Sequence, residues 1–212
     1  MTISDNRRYF EIIAVVCTGL LKFVFMEWLD MKLIYIAAAI LFWSVYVAFR
    51  VKKDKSLLEY WGFSRKNATK TFQTLGILAL LSAISFIGIG LVRNTAIISW
   101  HIFPVLLIYP LWGIIQQFLM MSLVAGNLKD QTKLQVHPFI IIGLTACLFS
   151  VVHLPYVILT IGTFFLAIVY ASIFLKYRNL WWLGIFHGWL GAIFYYFVLN
   201  RDTFMEVFQA TN

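Results

Sequence analysis

Seven apolar stretches separated by short polar connections set the pattern of the chain, at about residues 9–29, 33–49, 72–92, 101–125, 136–156, 157–176 and 181–199. Each is close to the roughly 20 residues that an α-helix needs to cross a bilayer. All are too long for barrel strands, and in lipid every backbone N–H and C=O needs an internal partner, so the stretches predict helices. The expected fold is an all-α integral membrane protein, a bundle of about seven (six to eight) transmembrane helices. It is read as a single transmembrane domain over 1–212, since no length is left for a soluble one. No internal repeat or low-complexity tract interrupts it.

Composition agrees. The chain is 62% hydrophobic and 12% charged, with a mean hydropathy of +0.85, whereas soluble domains are about half apolar and a quarter charged. The +8 formal charge does not imply nucleic acid, because the basic residues are scattered between apolar stretches and form no single tract. Cys17 and Cys147 fall inside apolar stretches and are expected as small packing residues, with neither a disulfide framework nor a zinc cluster. The basic N-terminal start followed by an apolar stretch resembles a signal peptide. Lys22 interrupts it and no small-residue cleavage site follows, so a retained signal anchor is expected.

Charge then sets topology. Thirteen Lys and Arg residues fall on one side of the expected spans, including Arg7, Arg8, Arg50 and the cluster up to Lys70, against Lys32, Arg93 and Arg201 on the other. Positive residues stay inside, so the N-terminus is expected inside and the C-terminus outside, in a bacterial cytoplasmic (inner) membrane. The polar connection 50–70 reads as a solvated topological anchor. The alternative is that its LLEYWGF core lies as an interfacial helix on anionic headgroups.

Within hydrocarbon a strongly polar side chain marks a candidate functional site. Lys22, the adjacent Gln116 and Gln117, His153 and His187 are such positions. Lys22, with Glu27 five residues on, reads as an intramembrane pair or a snorkelling stem. Phe149 and His153 are four apart and share a helix face, with Pro155 marking a helix end. His187 is expected one turn into a helix opened near Asn179, flanked by Gly188 and Gly191, which let another backbone approach. Singly, each histidine reads as an inter-helix hydrogen-bonding residue; together with Gln116 they put one polar position on each of three helices.

That constellation resembles the CPBP, or type II CAAX-protease-like, intramembrane endopeptidases, also called the Abi family. The family pattern is E-E-x-x-x-R, then F-x-x-x-H, then H-x-x-x-N or H-x-x-x-D. This chain offers Gln116-Gln117-x-x-x-Met121, then Phe149-x-x-x-His153 followed by Leu154-Pro155, then His187-x-x-x-Gly191. The family-like core is about 101–199. The resemblance implies hydrolysis of peptide bonds near the membrane, with Gln116 at the water-activating position, Gln117 beside it, His153 assisting and His187 at the oxyanion. Phe149, Met121 and Gly191 would line the same cavity.

Three departures matter: both glutamates are amides, the arginine is Met121, and the Asn or Asp is Gly191. An amide cannot act as the general base that a buried carboxylate provides, and losing such a base removes a factor of about 10² to 10⁴. The changes are mutually consistent, since a Glu and an Arg four apart can pair and removing only one would strand a charge. Two histidines without carboxylate or cysteine fall short of zinc's three or four ligands, so no metal or cofactor is expected.

The expected partner is a peptide or membrane protein, bound or weakly cleaved, within a lipid bilayer. The rival readings are a small transporter or channel-like bundle with a His/Gln path, and a purely structural protein held together by its amides. Depth counting puts Gln116 and His187 toward the inner half and His153 near the outer end of its span. Either 136–176 does not cross as two regular helices, or the three do not meet.

Overall fold

The computed structural model describes residues 3–208. Helix α1 (Asp5–Lys22) opens on Ser4, whose side chain accepts from the Arg7 N–H, and continues as a π-helical turn, Phe23–Trp28. There follow α2 (Lys32–Lys53), the single turn α3 (Leu57–Tyr60), α4 (Ala68–Val92) and α5 (Ile102–Gln117). A second π-helical segment, Phe118–Gly126, leads into the short α6 (Asn127–Lys129). Then come α7 (Pro138–Val151), α8 (Val157–Tyr177), α9 (Trp181–Ile193) with a π-helical continuation at Phe194–Val198, and α10 (Thr203–Phe208).

Five helical spans, Asp5–Trp28, Lys32–Lys53, Ala68–Val92, Ile102–Lys129 and Val157–Tyr177, are long and apolar enough to cross a membrane. The protein is an all-α integral membrane bundle. Of the two remaining apolar stretches, 181–199 is helical through Val198, and 136–156 is shorter as a helix than as sequence. The 136–156 stretch yields only the 14 residues of α7, which starts on Pro138 at its first turn and ends before a turn at 152–156. Proline fits a first turn because the N–H it lacks would have no intrahelical partner there.

The chain divides into two compact units. The first comprises residues 1–64 and 118–180, the second 65–117 and 181–212.

In the first unit α7 packs on α8, and α1 on the π-helical segment Phe118–Gly126. The expected solvated anchor at 50–70 is corrected here. Leu57 and Trp61 from its LLEYWGF core are fully buried, the Trp61 ring lies edge-on to Phe118 at 5.2 Å, and the Trp61 carbonyl accepts from Ser122 Oγ at 2.5 Å. Gly62 adopts φ +91°, and an added Cβ would stand 3.0 Å from the Arg178 carbonyl oxygen. A side chain there would be strained in backbone and in space.

Two of the basic residues counted for topology are also interior. Arg8 pairs with Asp5 at 2.8 Å, and Arg50 with Glu11 at 3.0 Å, all four buried. Glu11 accepts further from Tyr46 and, at 2.7 Å, from Asn127. Burial of a carboxylate in an apolar helix bundle is sustained only by such pairing. The two cysteines are not packing residues: Cys17 and Cys147 are free and exposed on the faces of α1 and α7.

In the second unit α5 packs along α9, and α4 packs on α9 and its π-helical continuation. Small residues set that spacing. A Cβ on Gly184 would lie 2.5 Å from the Ile114 Cα, and one on Gly188 would lie 2.5 Å from the Tyr109 carbonyl and the Pro110 nitrogen. Without a hydrophobic driving force between helices in lipid, such close backbone approach supplies the packing contacts. The far end of the pair is fastened by Thr95 Oγ1 donating to the Phe197 carbonyl at 2.7 Å and the Ile97 N–H to that of Tyr196 at 2.9 Å.

Candidate functional site

Gln116 and Gln117 close α5, and the backbone changes from α- to π-helical at the next residue, Phe118. A π-helical turn is rare and concentrates at functional positions, because it re-aims side chains that a regular helix would stack. Within the second unit His187 Nε2 lies 2.8 Å from Gln116 Oε1. The contact follows from the α5–α9 spacing: Gly184 and Gly188 bracket His187 and bring its helix against the backbone of α5. His187 is buried, and Gln116 half-buried. Since an amide oxygen only accepts, the imidazole donates through Nε2–H.

Gln117 is different. It is fully buried, and neither its Oε1 nor its Nε2 has a hydrogen-bond partner among the described residues. Leaving a buried polar group unsatisfied costs about 1–3 kcal/mol. Met121, at the family's arginine position, is also fully buried, in the π-helical segment. The residues at the positions of a charged motif are therefore neutral and interior.

The third motif differs in detail from expectation. His187 stands six residues into α9, nearly two turns, and Asn179 lies before the helix, buried, with Nδ2 donating to the Ser64 carbonyl at 2.8 Å. Gly191 is not a close-approach glycine: an added Cβ would find only Tyr109 Cδ1 at 3.9 Å, an ordinary contact. The glycines that do carry the packing are Gly113, Gly184 and Gly188. The sequence reading passed over the first two, although Gly184 and Gly188 are one helical turn apart in the small-xxx-small spacing.

His153 and Phe149 belong to the first unit. Phe149 is buried in α7, and its ring meets the His153 imidazole edge-on at 4.8 Å. His153 lies in the turn after the helix, and its Nδ1 is 2.7 Å from the Phe149 carbonyl oxygen. A carbonyl can only accept, so Nδ1 carries the proton and Nε2 presents its lone pair. The two motif histidines thus take opposite tautomeric roles, His187 donating through Nε2 and His153 able to accept there.

Lys22, which stood apart from these motifs in sequence, donates to the Leu154 carbonyl at 2.8 Å and pairs with Glu27 at 2.5 Å. Other polar groups went unnoticed. Glu11 was missed although it is a carboxylate inside the first apolar stretch, which is the signal that should have marked it. His101, at the head of the fourth stretch, donates to Asp202 at 2.6 Å, and Asp202 also accepts from Tyr196 and from the Phe204 and Met205 N–H groups that open α10. A cavity of about 430 Å³ lies between α1 and α2, lined by Phe10, Phe42, Trp43 and Tyr46 with Arg7 and Glu11, and it holds none of the motif residues.

Searches of curated proteins and of solved structures give no match. Residues 97–193, a little under half of the chain, match the family described as Type II CAAX prenyl endopeptidase Rce1-like. The matched segment contains all three motifs, from Gln116 through His153 to Gly191. With those motifs in order on an all-α membrane bundle, residues 97–193 are similar to the type II CAAX prenyl endopeptidase Rce1-like family.

Proposed function

We propose that this chain binds a peptide, or an extended segment of a membrane-protein partner, at a neutral polar site, with peptide-bond hydrolysis strongly weakened. The observation that carries the reading is the 2.8 Å contact between His187 Nε2 and Gln116 Oε1. A carboxamide at the water-activating position accepts a hydrogen bond but takes no proton at neutral pH, so the family's general base is missing. Neutral donors and acceptors are nonetheless what a peptide amide requires, and inside a bilayer they are retained at a cost. Gln117, buried with no hydrogen-bond partner among the described residues, bears that cost most plainly. Gln116, Gln117 and His187 are the recognising residues in this reading, with Phe149, His153, Met121 and Gly191 completing the set by motif position. The protein sits in a bacterial cytoplasmic membrane with its N-terminus inside.

One observation favours a second reading, slow hydrolysis with His153 as the base. Its Nδ1–H is committed to the Phe149 carbonyl, which leaves Nε2 in the form that accepts a proton.

The test uses the full-length protein in lipid nanodiscs with a peptide library, following binding and cleavage together. Binding without turnover, with cleavage appearing in the Gln116→Glu/Gln117→Glu double variant, is the expected result. Wild-type cleavage that His153→Ala abolishes would overturn the binding reading and establish the second.

A further inference from the structure

The turn 152–156 carries His153, and it satisfies most of its backbone internally: the carbonyls of Ser150, Val151 and His153 accept from the N–H groups of His153, Leu154 and Tyr156. The Leu154 carbonyl accepts instead from Lys22 Nζ, 132 residues away in sequence, at 2.8 Å. Lys22 is the last residue of α1, and the π-helical turn that follows explains its geometry. In a π-helix residues five apart lie above one another, so Glu27 falls beside Lys22 and holds its ammonium at 2.5 Å. The Lys22 side chain is mostly covered, at 16% exposure, and its ammonium stands on the carbonyl of Leu154, the residue after His153.

We infer that Lys22, held by Glu27, is a positioning residue for His153: it clamps the turn that presents the imidazole and supplies the fixed charge beside it. This rests on the reading above only in taking His153 as part of the functional set. In a chain with amides and a methionine where the motif it resembles has two glutamates and an arginine, the Lys22–Glu27 pair is an ionic element at the turn that carries His153. A purely structural tie would need only the hydrogen bond to the turn. A positioning role also requires the imidazole to sense the charge, and the two are separable by experiment.

The test follows the His153 ring by NMR on histidine-labelled full-length protein in nanodiscs, across a pH series, in wild type, Lys22→Met, Lys22→Arg and Glu27→Gln. Lys22→Met is expected to raise the His153 titration midpoint by roughly half a unit or more, because it removes a cation and leaves the Glu27 carboxylate unpaired beside the turn. Lys22→Arg keeps it near wild type. An unchanged midpoint in folded Lys22→Met overturns the inference. If that variant does not fold, Glu27→Gln serves: it frees the ammonium, and an unmoved His153 signal overturns the inference equally. A midpoint shift in a protein that binds no peptide would uphold the positioning role while removing the binding function.

Discussion

The carbonyl of Tyr109 runs so close to Gly188 that a methyl group on that glycine would meet its oxygen at 2.5 Å. His187 is the preceding residue, and its bond to Gln116 depends on this approach of α9 to α5. The atoms in the way are backbone, which cannot rotate aside. Gly188→Ala is therefore expected to destabilise the protein by about 1–3 kcal/mol or more, seen as a clear fall in Tm in detergent. Gly191→Ala, which meets nothing nearer than 3.9 Å, should leave Tm unchanged or raise it slightly, because alanine is the better helix former by about 1 kcal/mol. Equal losses in the two variants would show that the α5–α9 spacing is not set where the structure puts it.

Gln117 is buried with both amide atoms unpartnered among the described residues. Replacing it by an apolar side chain of similar shape removes the desolvation cost and leaves no cavity. Gln117→Met should raise stability, by up to about 1–3 kcal/mol, while weakening peptide binding. A thermal melt and a binding assay on the same preparation check both halves. A fall in Tm would show that the amide is satisfied in the folded protein.

Glu11, Arg50, Tyr46 and Asn127 form a buried polar cluster in the first unit. Removing one charge strands the other, a loss of about 3–5 kcal/mol, whereas removing both is far milder. Arg50→Met is expected to be severely destabilised and the Glu11→Gln/Arg50→Met pair to recover most of the loss. Additive Tm decrements in the double-mutant cycle would contradict the pairing.

Acid sensitivity should come from Asp202. Burial pushes its carboxyl up, but hydrogen bonds from Tyr196, His101 and the Met205 N–H outweigh that and hold it below the usual carboxylate range. A carboxyl lowered in the folded state contributes stability that is complete above its unfolded pKa, about 3.9. That contribution is lost as pH falls through the lower folded value. A Tm series taken downward from pH 6 should show an added acid-side fall in wild type that is absent in Asp202→Asn. Parallel curves would exclude Asp202 as its source.

The boundary between what was legible in sequence and what was not follows physical range. Seven apolar stretches, the membrane class and the order of the three motifs depend on local composition and on spacing along one helix. They could be read directly, because lipid permits little besides a helix where polar groups are few. Local pattern also marked Gln116, Gln117, His153 and His187 as polar groups needing a reason.

It could not say which partners they have. Whether His187 reaches Gln116 depends on Gly184 and Gly188 admitting a second backbone, and whether Lys22 is a bystander depends on a turn 132 residues away. Trp61 looked solvent-bound and is buried, and Cys17 looked packed and is exposed, because burial is decided by which faces of neighbouring helices meet. The sequence by itself determined that this is a helical membrane protein in which Gln116, Gln117 and Met121 stand uncharged where the motif it resembles is charged. Only the tertiary structure decided which neutral groups answer one another there, since a hydrogen bond between helices needs both position and direction, and neither is written in the order of residues along one strand of chain.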